Sequence, residues 1–352
     1  MEHLFIFIMA GGTGERFWPM SRIRTPKHLL RLLGERTLLE EAVLRALKVV
    51  PAERVFVLTN RDQLDACREA VPCLDAAQFL AEPAKRDTAP AAALATGFAR
   101  AKDPSAVVAL LPADSMIHDA DTFERQLRDA ATVVSDSPAL LTFSIPPKFA
   151  ATGYGYLKHG APLPAAPEGS KVYEIERFVE KPDADTAEEY VASGEYGWNA
   201  GMFVWRAETF LAECERLLPP LAAFITGFPG GDPALYLAEK FEHLPKISVD
   251  YAIMEQAGAV VAVEAEFDWD DVGAWTALPA HLGQDESGNT LKGSSAMLDS
   301  HNNIVVANSR TIALCGVSDL VVVETADAVL ICHRNSAQRI KNLQPHLPEE
   351  LR

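Results

Sequence analysis

The stretch that most limits what this chain can become runs from Leu4 to Leu30, LFIFIMAGGTGERFWPMSRIRTPKHLL. Leu4 to Met9 is an unbroken apolar run, short and rich in β-branched and aromatic side chains, as a strand buried on both faces requires. It leads straight into Gly11, Gly12 and Gly14, and the loop beyond carries Arg16, Arg22, Arg24 and Lys27. Glycines let successive backbone N–H groups turn inward around an anion, and basic side chains can close over it. A strand that ends in such a loop holds the anion at the carboxyl edge of a parallel sheet. Phosphate is the expected guest. Two familiar phosphate loops do not fit: the dinucleotide fingerprint needs glycine where Phe17 stands, and a Walker loop needs a Gly-Lys-Ser/Thr step that is absent here. Glu35 lies about where a ribose-binding acid would stand, but in a turn rather than at the end of a second strand.

Composition narrows the guest further. With 32 Lys and Arg against 49 Asp and Glu, the net charge of −17 repels nucleic acid polymers, so cations for a small anion must be concentrated locally. A chain of 352 residues can bury a large domain with a smaller one beside it. The five cysteines, odd in number and without a C-x-x-C pair, are expected in the core of a protein from a reducing compartment. The apolar start is too short to span a bilayer and lacks a basic segment before it, so no membrane partner and a cytoplasmic location are expected.

Along the chain, Thr37 to Glu40 has a capping-box pattern ahead of a helical apolar face at Leu38, Leu39, Ala42, Val43 and Ala46. Short buried strands are predicted at Val55–Leu58, Gln78–Leu80, Ala106–Leu111 and Ala139–Ile145, with an alanine-rich helix over Thr88–Ala101. Strands alternating with helices predict an α/β fold with a right-handed, mostly parallel sheet. From Gly153 the texture changes: Tyr154–Tyr156, Val172–Val179 and Trp198–Trp205 predict strands with some antiparallel pairing, and helices are expected near Ala207–Leu218 and Pro233–Phe241. Another short apolar run follows at Val260–Val263, and Ala161–Gly169 reads as an exposed loop. A boundary is placed near Gln284–Gly288, dividing the chain into 1–284 and 285–352. Beyond it, five short β-like runs between Ala296 and Ile331 predict a small β domain, followed by a helix over Ser336–Leu343.

Asp114, at the end of a predicted strand in LLPADSMI, faces the same sheet edge as the glycine loop, where a carboxylate can hold Mg²⁺ on a nucleotide. Read alone, it could equally cap a turn. Asp268, Asp270 and Asp271 crowd DWDDVGAW, and three carboxylates so close repel one another unless a cation is present. The histidines other than His28 show no metal-ligand spacing.

GGTGERFWPMSRIRTPKHLL resembles the signature loop of the sugar-nucleotide pyrophosphorylases, and Trp18-Pro19 with Ser21-Arg22 point to their mannose-1-phosphate guanylyltransferase branch. Four further motifs match in order: EPAKRDTAP from Glu82, LPADSMI with Asp114, TGYG with FVEKP, and WNAG with DVGAW. The resemblance spans about Leu4 to Leu343. It implies a Rossmann-like nucleotidyltransferase domain with a β-helix-like tail that often serves dimerisation, hence a homodimer. It implies that GTP and mannose 1-phosphate give GDP-mannose and pyrophosphate by one in-line displacement. Longer relatives continue into a phosphomannose isomerase domain, and that activity is not expected here.

The roles implied are Arg16 on the triphosphate, Lys27 on the α-phosphoryl oxygens, and Asp114 and Asp271 as ligands of a Mg²⁺ cofactor. Ala10, Gly11, Gly12, Gly14, Glu82 and Asp87 would line the nucleotide, and Gly155, Glu180, Lys181 and Asn199 the sugar phosphate. Two positions depart from the pattern: Asp87 stands where relatives carry asparagine, and His28 where many carry glutamine. A different base or hexose, or an inactive GDP-mannose sensor, stays open at this point.

Overall fold

In the computed structural model, residues 2–164 and 166–352 are described. The first apolar run forms β1 (Leu4–Ala10), near the middle of a nine-stranded sheet. Its alternation feeds two cores. Leu4, Ile6, Ile8 and Ala10 pack toward helices α1 (Leu38–Val49) and, further along the chain, residues 120–136, whereas Phe5 and Phe7 pack toward residues 88–102. Both faces are thereby covered, which is why the run shows no polar positions. The remaining strands are β2 (Val55–Asn60), β3 (Phe79–Glu82), β4 (Val107–Pro112), β5 (Leu140–Ile145), β6 (Gly155–Pro162), β7 (Val172–Glu180), β8 (Tyr196–Arg206) and β9 (Val260–Glu264). Their order is β3-β2-β1-β4-β8-β5-β9-β7-β6.

The sheet is mixed. β3, β2, β1 and β4 are parallel, joined through α1, α2 (Leu64–Ala70) and α3 (Thr88–Lys102). Beyond them only β5 and β9 pair in parallel, and β8 runs antiparallel to β4, β5 and β6. β7 pairs antiparallel with both β6 and β9, so β5, β8, β6, β7 and β9 close into a ring. β8 bends at Gly201, whose φ of +67° suits glycine, and this lets one strand serve two neighbourhoods. The stretch expected as a loop at Ala161–Gly169 starts inside β6, and Ala165 lies outside the described residues.

Helix α4 (Ala120–Asp136) follows β4 and closes one face of the sheet with Phe123, Leu127, Ala130 and Val134. Asp119 caps it, and the Asp268 carboxylate accepts from the amides of His118 (2.9 Å) and Asp119 (2.7 Å). Negative charge at a helix start is stabilising, so Asp268 has a structural task.

After Gly283 the chain coils. β10 (Thr290–Lys292), β12 (Ile304–Ala307) and β14 (Leu320–Glu324) stack in parallel register, as do β11 (Ser295–Leu298) and β13 (Ile312–Cys315). β15 (Val329–His333) turns back antiparallel to β14 and ends the stack. The buried Asn289 and Asn303 bridge successive rungs, Asn303 Nδ2 donating to Asn289 Oδ1 at 3.0 Å. This is a β-helix-like coil. The segment expected as a helix over Ser336–Leu343 is a 3₁₀ helix, Arg334–His346. Its two buried residues, Ala337 and Ile340, are three apart, the repeat that a 3₁₀ helix brings to one face. They pack with Phe17, Trp18, Trp275, Val306 and Val323, so the coil and the glycine loop share one core across the boundary drawn in the sequence.

The cysteines depart from expectation. Cys67 and Cys214 are buried and all five are free thiols, but Cys73 and Cys315 are exposed and Cys332 is half-buried. No described helix is long and apolar enough to cross a membrane.

Candidate active site

β1 delivers its glycine loop to the carboxyl edge of the parallel half of the sheet, and β4 delivers Asp114 beside it. An antiparallel bridge between Met116 and Asp270, with N–H···O distances of 2.8 and 3.1 Å, then draws DWDDVGAW alongside Asp114. The buried Arg45 donates to the carbonyl of Ser115 at 3.3 Å and fixes the turn after Asp114. This is how residues far apart in sequence meet.

Lys27 is the hub. Its side chain is 7% exposed, and its ammonium donates to Asp114 Oδ2 at 2.9 Å and to the carbonyl of Asp271. Gly14 makes the approach possible: its φ is +65°, and a Cβ there would lie 2.2 Å from Lys27 Cβ. Burial disfavours ionisation of Asp114, but the Lys27 ammonium outweighs it and holds the carboxyl below the usual range. Asp271 shifts the other way. Its burial, with the charges of Asp270 and Asp114, raises its pKa against the Tyr154 hydroxyl, which donates to Oδ1 at 2.6 Å. Within the aspartate triplet the roles therefore separate. Asp268 caps α4, Asp270 accepts from Val272 N at 2.7 Å and meets His281 at 3.0 Å, and Asp271 lines the cavity with Asp114.

Two cavities adjoin at this hub. One, of about 560 Å³, is lined by Gly11, Gly12, Asn60, Glu82, Asp87, Asp250 and Lys246, among others. The second, of about 430 Å³, contains Thr13, Arg16, Asp271 and Lys341 in its wall. Gly14, Lys27, Pro112 and Asp114 belong to both. Arg16 donates weakly to the carbonyl of Gly273 at 3.4 Å, and its buried Nε has no partner among the described residues.

In the first cavity, burial pushes the Glu82 carboxyl up to about 8. Asp87 stands at the rim, exposed, with φ +70°, and caps α3 by accepting from Thr88 N at 2.8 Å. Ala10 does not reach this cavity: it is fully buried, its carbonyl accepts from Thr59 at 2.8 Å, and its neighbours Met9 and Gly11 form the wall. His28 is buried against Cys67 and burial lowers its pKa to about 4, so it is neutral.

The four residues assigned to the sugar phosphate converge. A Cβ on Gly155 would sit 2.6 Å from Glu180 Oε2, so a larger residue there would displace the Glu180 carboxylate, and Asn199 Cβ lies 3.5 Å from the same point. Lys181, at φ +49°, pairs with Glu180. Asn199 accepts from Thr142 at 2.9 Å and donates to Asp250 Oδ1 at 3.0 Å. Asp250, which the sequence reading passes over, links this group to the first cavity; burial and the Glu180 charge raise its pKa to about 6. Lys246 is also new. Both are fixed through α3, where Thr88 Oγ1 accepts from Val249 N at 2.8 Å.

A nucleotidyl transferase model matches residues 6–287, and a mannose-P isomerase/GMP-like β-helix domain model matches residues 293–347. The fold and the charged cleft thus define a nucleotidyltransferase. Mannose-1-phosphate guanylyltransferase from Klebsiella pneumoniae is 37% identical over 352 residues, covering 98% of this chain and 74% of the relative. That from Escherichia coli K12 is 38% identical, over 97% of this chain and 72% of its own length. A crystal structure from Thermus thermophilus, described as a mannose-1-phosphate geranyltransferase, is 34% identical with a TM-score of 0.88, covering 98% and 99% of the two chains. The chain belongs to the mannose-1-phosphate guanylyltransferase family.

Proposed function

We propose that the protein makes GDP-mannose and pyrophosphate from GTP and mannose 1-phosphate, by direct attack of the sugar phosphate on the α-phosphorus. The observation that carries the reading is the joining of the two cavities at Gly14, Lys27 and Asp114. A nucleoside in the first cavity directs its phosphates through that junction. A phosphomonoester with a second pKa near ~6 is already mostly dianionic at neutral pH, so no general base is needed. The requirement is alignment and relief of repulsion.

Asp114 and Asp271 fit Mg²⁺. Both are hard oxygen donors facing one cavity. Among the described residues no cluster of three or more His, Cys, Asp or Glu forms a metal cage. Two carboxylates completed by substrate phosphates is the usual arrangement for this ion. When bound, the ion offsets charge on the attacking and leaving oxygens. Lys27 holds Asp114 ionised and stands ready for the α-phosphoryl oxygens. Arg16 faces the triphosphate. Glu82, once ionised, can accept from the N1–H and amino group of guanine, and Asp87 stands at the same rim. Gly11 and Gly12 offer backbone to the nucleotide. Gly155, Glu180, Lys181 and Asn199 receive the hexose and its phosphate.

A homodimer and a cytoplasmic location complete the proposal. Leu298, Val329 and Ile331 on the coil are exposed apolar residues, suited to contact between copies, and light scattering reads the mass directly. The deciding experiment is pyrophosphate release from GTP and mannose 1-phosphate, with and without magnesium, against a panel of other nucleotides and hexose phosphates. Release dependent on magnesium and strongest with this pair is expected. No release from any pair would point to a sensor.

A further inference from the structure

Lys341 is the one cation in the wall of the second cavity that comes from the C-terminal unit; Arg16 and Lys27 come from the glycine loop. The three cations are not equivalent. Lys27 is committed to Asp114 and to the carbonyl of Asp271, and Arg16 is half-buried with one weak donation to Gly273 at 3.4 Å. Lys341 is exposed and forms no ion pair or hydrogen bond among the described residues. Its backbone, by contrast, is held firmly. Ala337 and Ile340, 1% and 2% exposed, pack beneath Phe17 and Trp18. The Trp18 indole donates to the carbonyl of Leu351 at 2.9 Å, and Arg22 Nη2 reaches Asp327 at 3.2 Å. A held backbone that carries an uncommitted ammonium to the wall of the cavity beside Arg16 and Lys27 is the arrangement expected of a phosphate ligand.

The geometry also says which phosphates. With the nucleoside in the first cavity, as proposed above, its α-phosphorus comes to the wall that the two cavities share. The β- and γ-phosphates then lie in the second, beside Thr13, Arg16 and Lys341. In the reaction the sugar-phosphate oxygen bonds to the α-phosphorus while the bond to the bridging oxygen breaks, and that electron pair leaves with pyrophosphate. The departing group gains negative charge in a cavity that also contains Glu15, Asp114 and Asp271.

We propose that Lys341 is a binding residue for this pyrophosphate group, so that the β-helix-like unit completes the catalytic cleft. The inference rests on the nucleotidyltransferase reading given above. Lys341→Met, which keeps length and removes charge, and Lys341→Arg, which keeps charge, test it in the full chain. In the reverse reaction, from GDP-mannose and magnesium pyrophosphate, Lys341→Met is expected to raise the KM for pyrophosphate about tenfold or more, as loss of a charge-assisted hydrogen bond does. The KM for GDP-mannose and the melting temperature are expected to stay within about twofold and a degree or so of wild type, and Lys341→Arg to keep most of the pyrophosphate affinity. Calorimetric titration of wild type and Lys341→Met with magnesium pyrophosphate gives the same comparison without turnover. It therefore stands even if wild type fails to make GDP-mannose, a failure that strikes the functional reading alone. An unchanged pyrophosphate KM and Kd in Lys341→Met would overturn the assignment.

Discussion

Lys27 is a buried ammonium whose attachments all lie inside the cleft, so its charge is already in place before substrate arrives. Preorganised charge of this kind is worth several kcal/mol in a transition state. Lys27→Ala is accordingly expected to lower kcat by more than about tenfold in steady-state pyrophosphate release, and near-normal turnover would remove it from the chemistry. Next to it, His28 makes a different prediction. Burial lowers its folded pKa to about 4 from 6.5, so the folded state holds it neutral while the unfolded chain protonates earlier. Its contribution to stability is full above pH 6.5 and is lost as pH falls toward 4. The slope over that window is at most about 1.4 kcal/mol per pH unit. His28→Gln should flatten the fall, as read by urea denaturation at pH 7 and pH 4.5; an unchanged difference between the two pH values would count against the buried neutral imidazole. Lys27 and Asp114 were legible in the sequence through the motifs that carry the family resemblance, since a carboxylate after a buried strand, read alone, could equally cap a turn. The direction of Asp268, Asp270 and Asp271 was not, since adjacent residues carry no information about which side chain faces a cavity. Asp250 and Lys341 arrive through tertiary packing and left no local pattern to read.

Among elements, the rungs of the C-terminal coil show how closely backbone geometry specifies the stack. Gly293, at φ +92°, lets β10 turn into β11 against the neighbouring rung, and a Cβ there would lie 2.0 Å from the Ala307 carbonyl oxygen. Gly316 also has positive φ, +66°, but nothing stands within 4 Å of its missing Cβ. The pair separates two effects. Gly316→Ala should cost about 1 kcal/mol from backbone strain alone, and Gly293→Ala about 2 kcal/mol or more, because the rungs must also move apart. Guanidinium denaturation of both variants checks the order, and equal losses would mean that the close approach is relaxed in solution. The strands themselves were readable from short β-branched runs between turns, except β10, whose three residues are too few for a pattern. Helix α4 does carry a signal, Phe123, Leu127, Ala130 and Val134 behind the capping Asp119, which a reading fixed on the strands passes over. The parallel half of the sheet followed from strand–helix alternation. Closure of β5 to β9 into a ring depends on the bend at Gly201 and could not be seen before the strands were paired.

For the whole molecule, the consequential fact is that the small C-terminal unit does not keep a core of its own. Ile304, Val306, Val321, Val323 and Leu330 of the coil pack in one cluster with Phe17, Trp18, Val272 and Trp275 of the catalytic cleft. Ile340, 2% exposed, is held in that cluster, and the Trp275 indole donates to the carbonyl of Trp18 at 3.1 Å. The glycine loop is polar on the cavity side and needs an apolar floor on the other, which the coil supplies. Loosening that floor should therefore reach the cleft. Ile340→Ala is expected to destabilise the protein by about 2–5 kcal/mol, the range for a large-to-small change in a packed core. Because one cluster spans both units, tryptophan fluorescence and far-ultraviolet circular dichroism should lose their native signals in a single coincident transition, in wild type and variant alike. If fluorescence instead fell in a separate, earlier transition with most of the β signal retained, the coil and the loop would be independent folding units, and the floor would lie elsewhere.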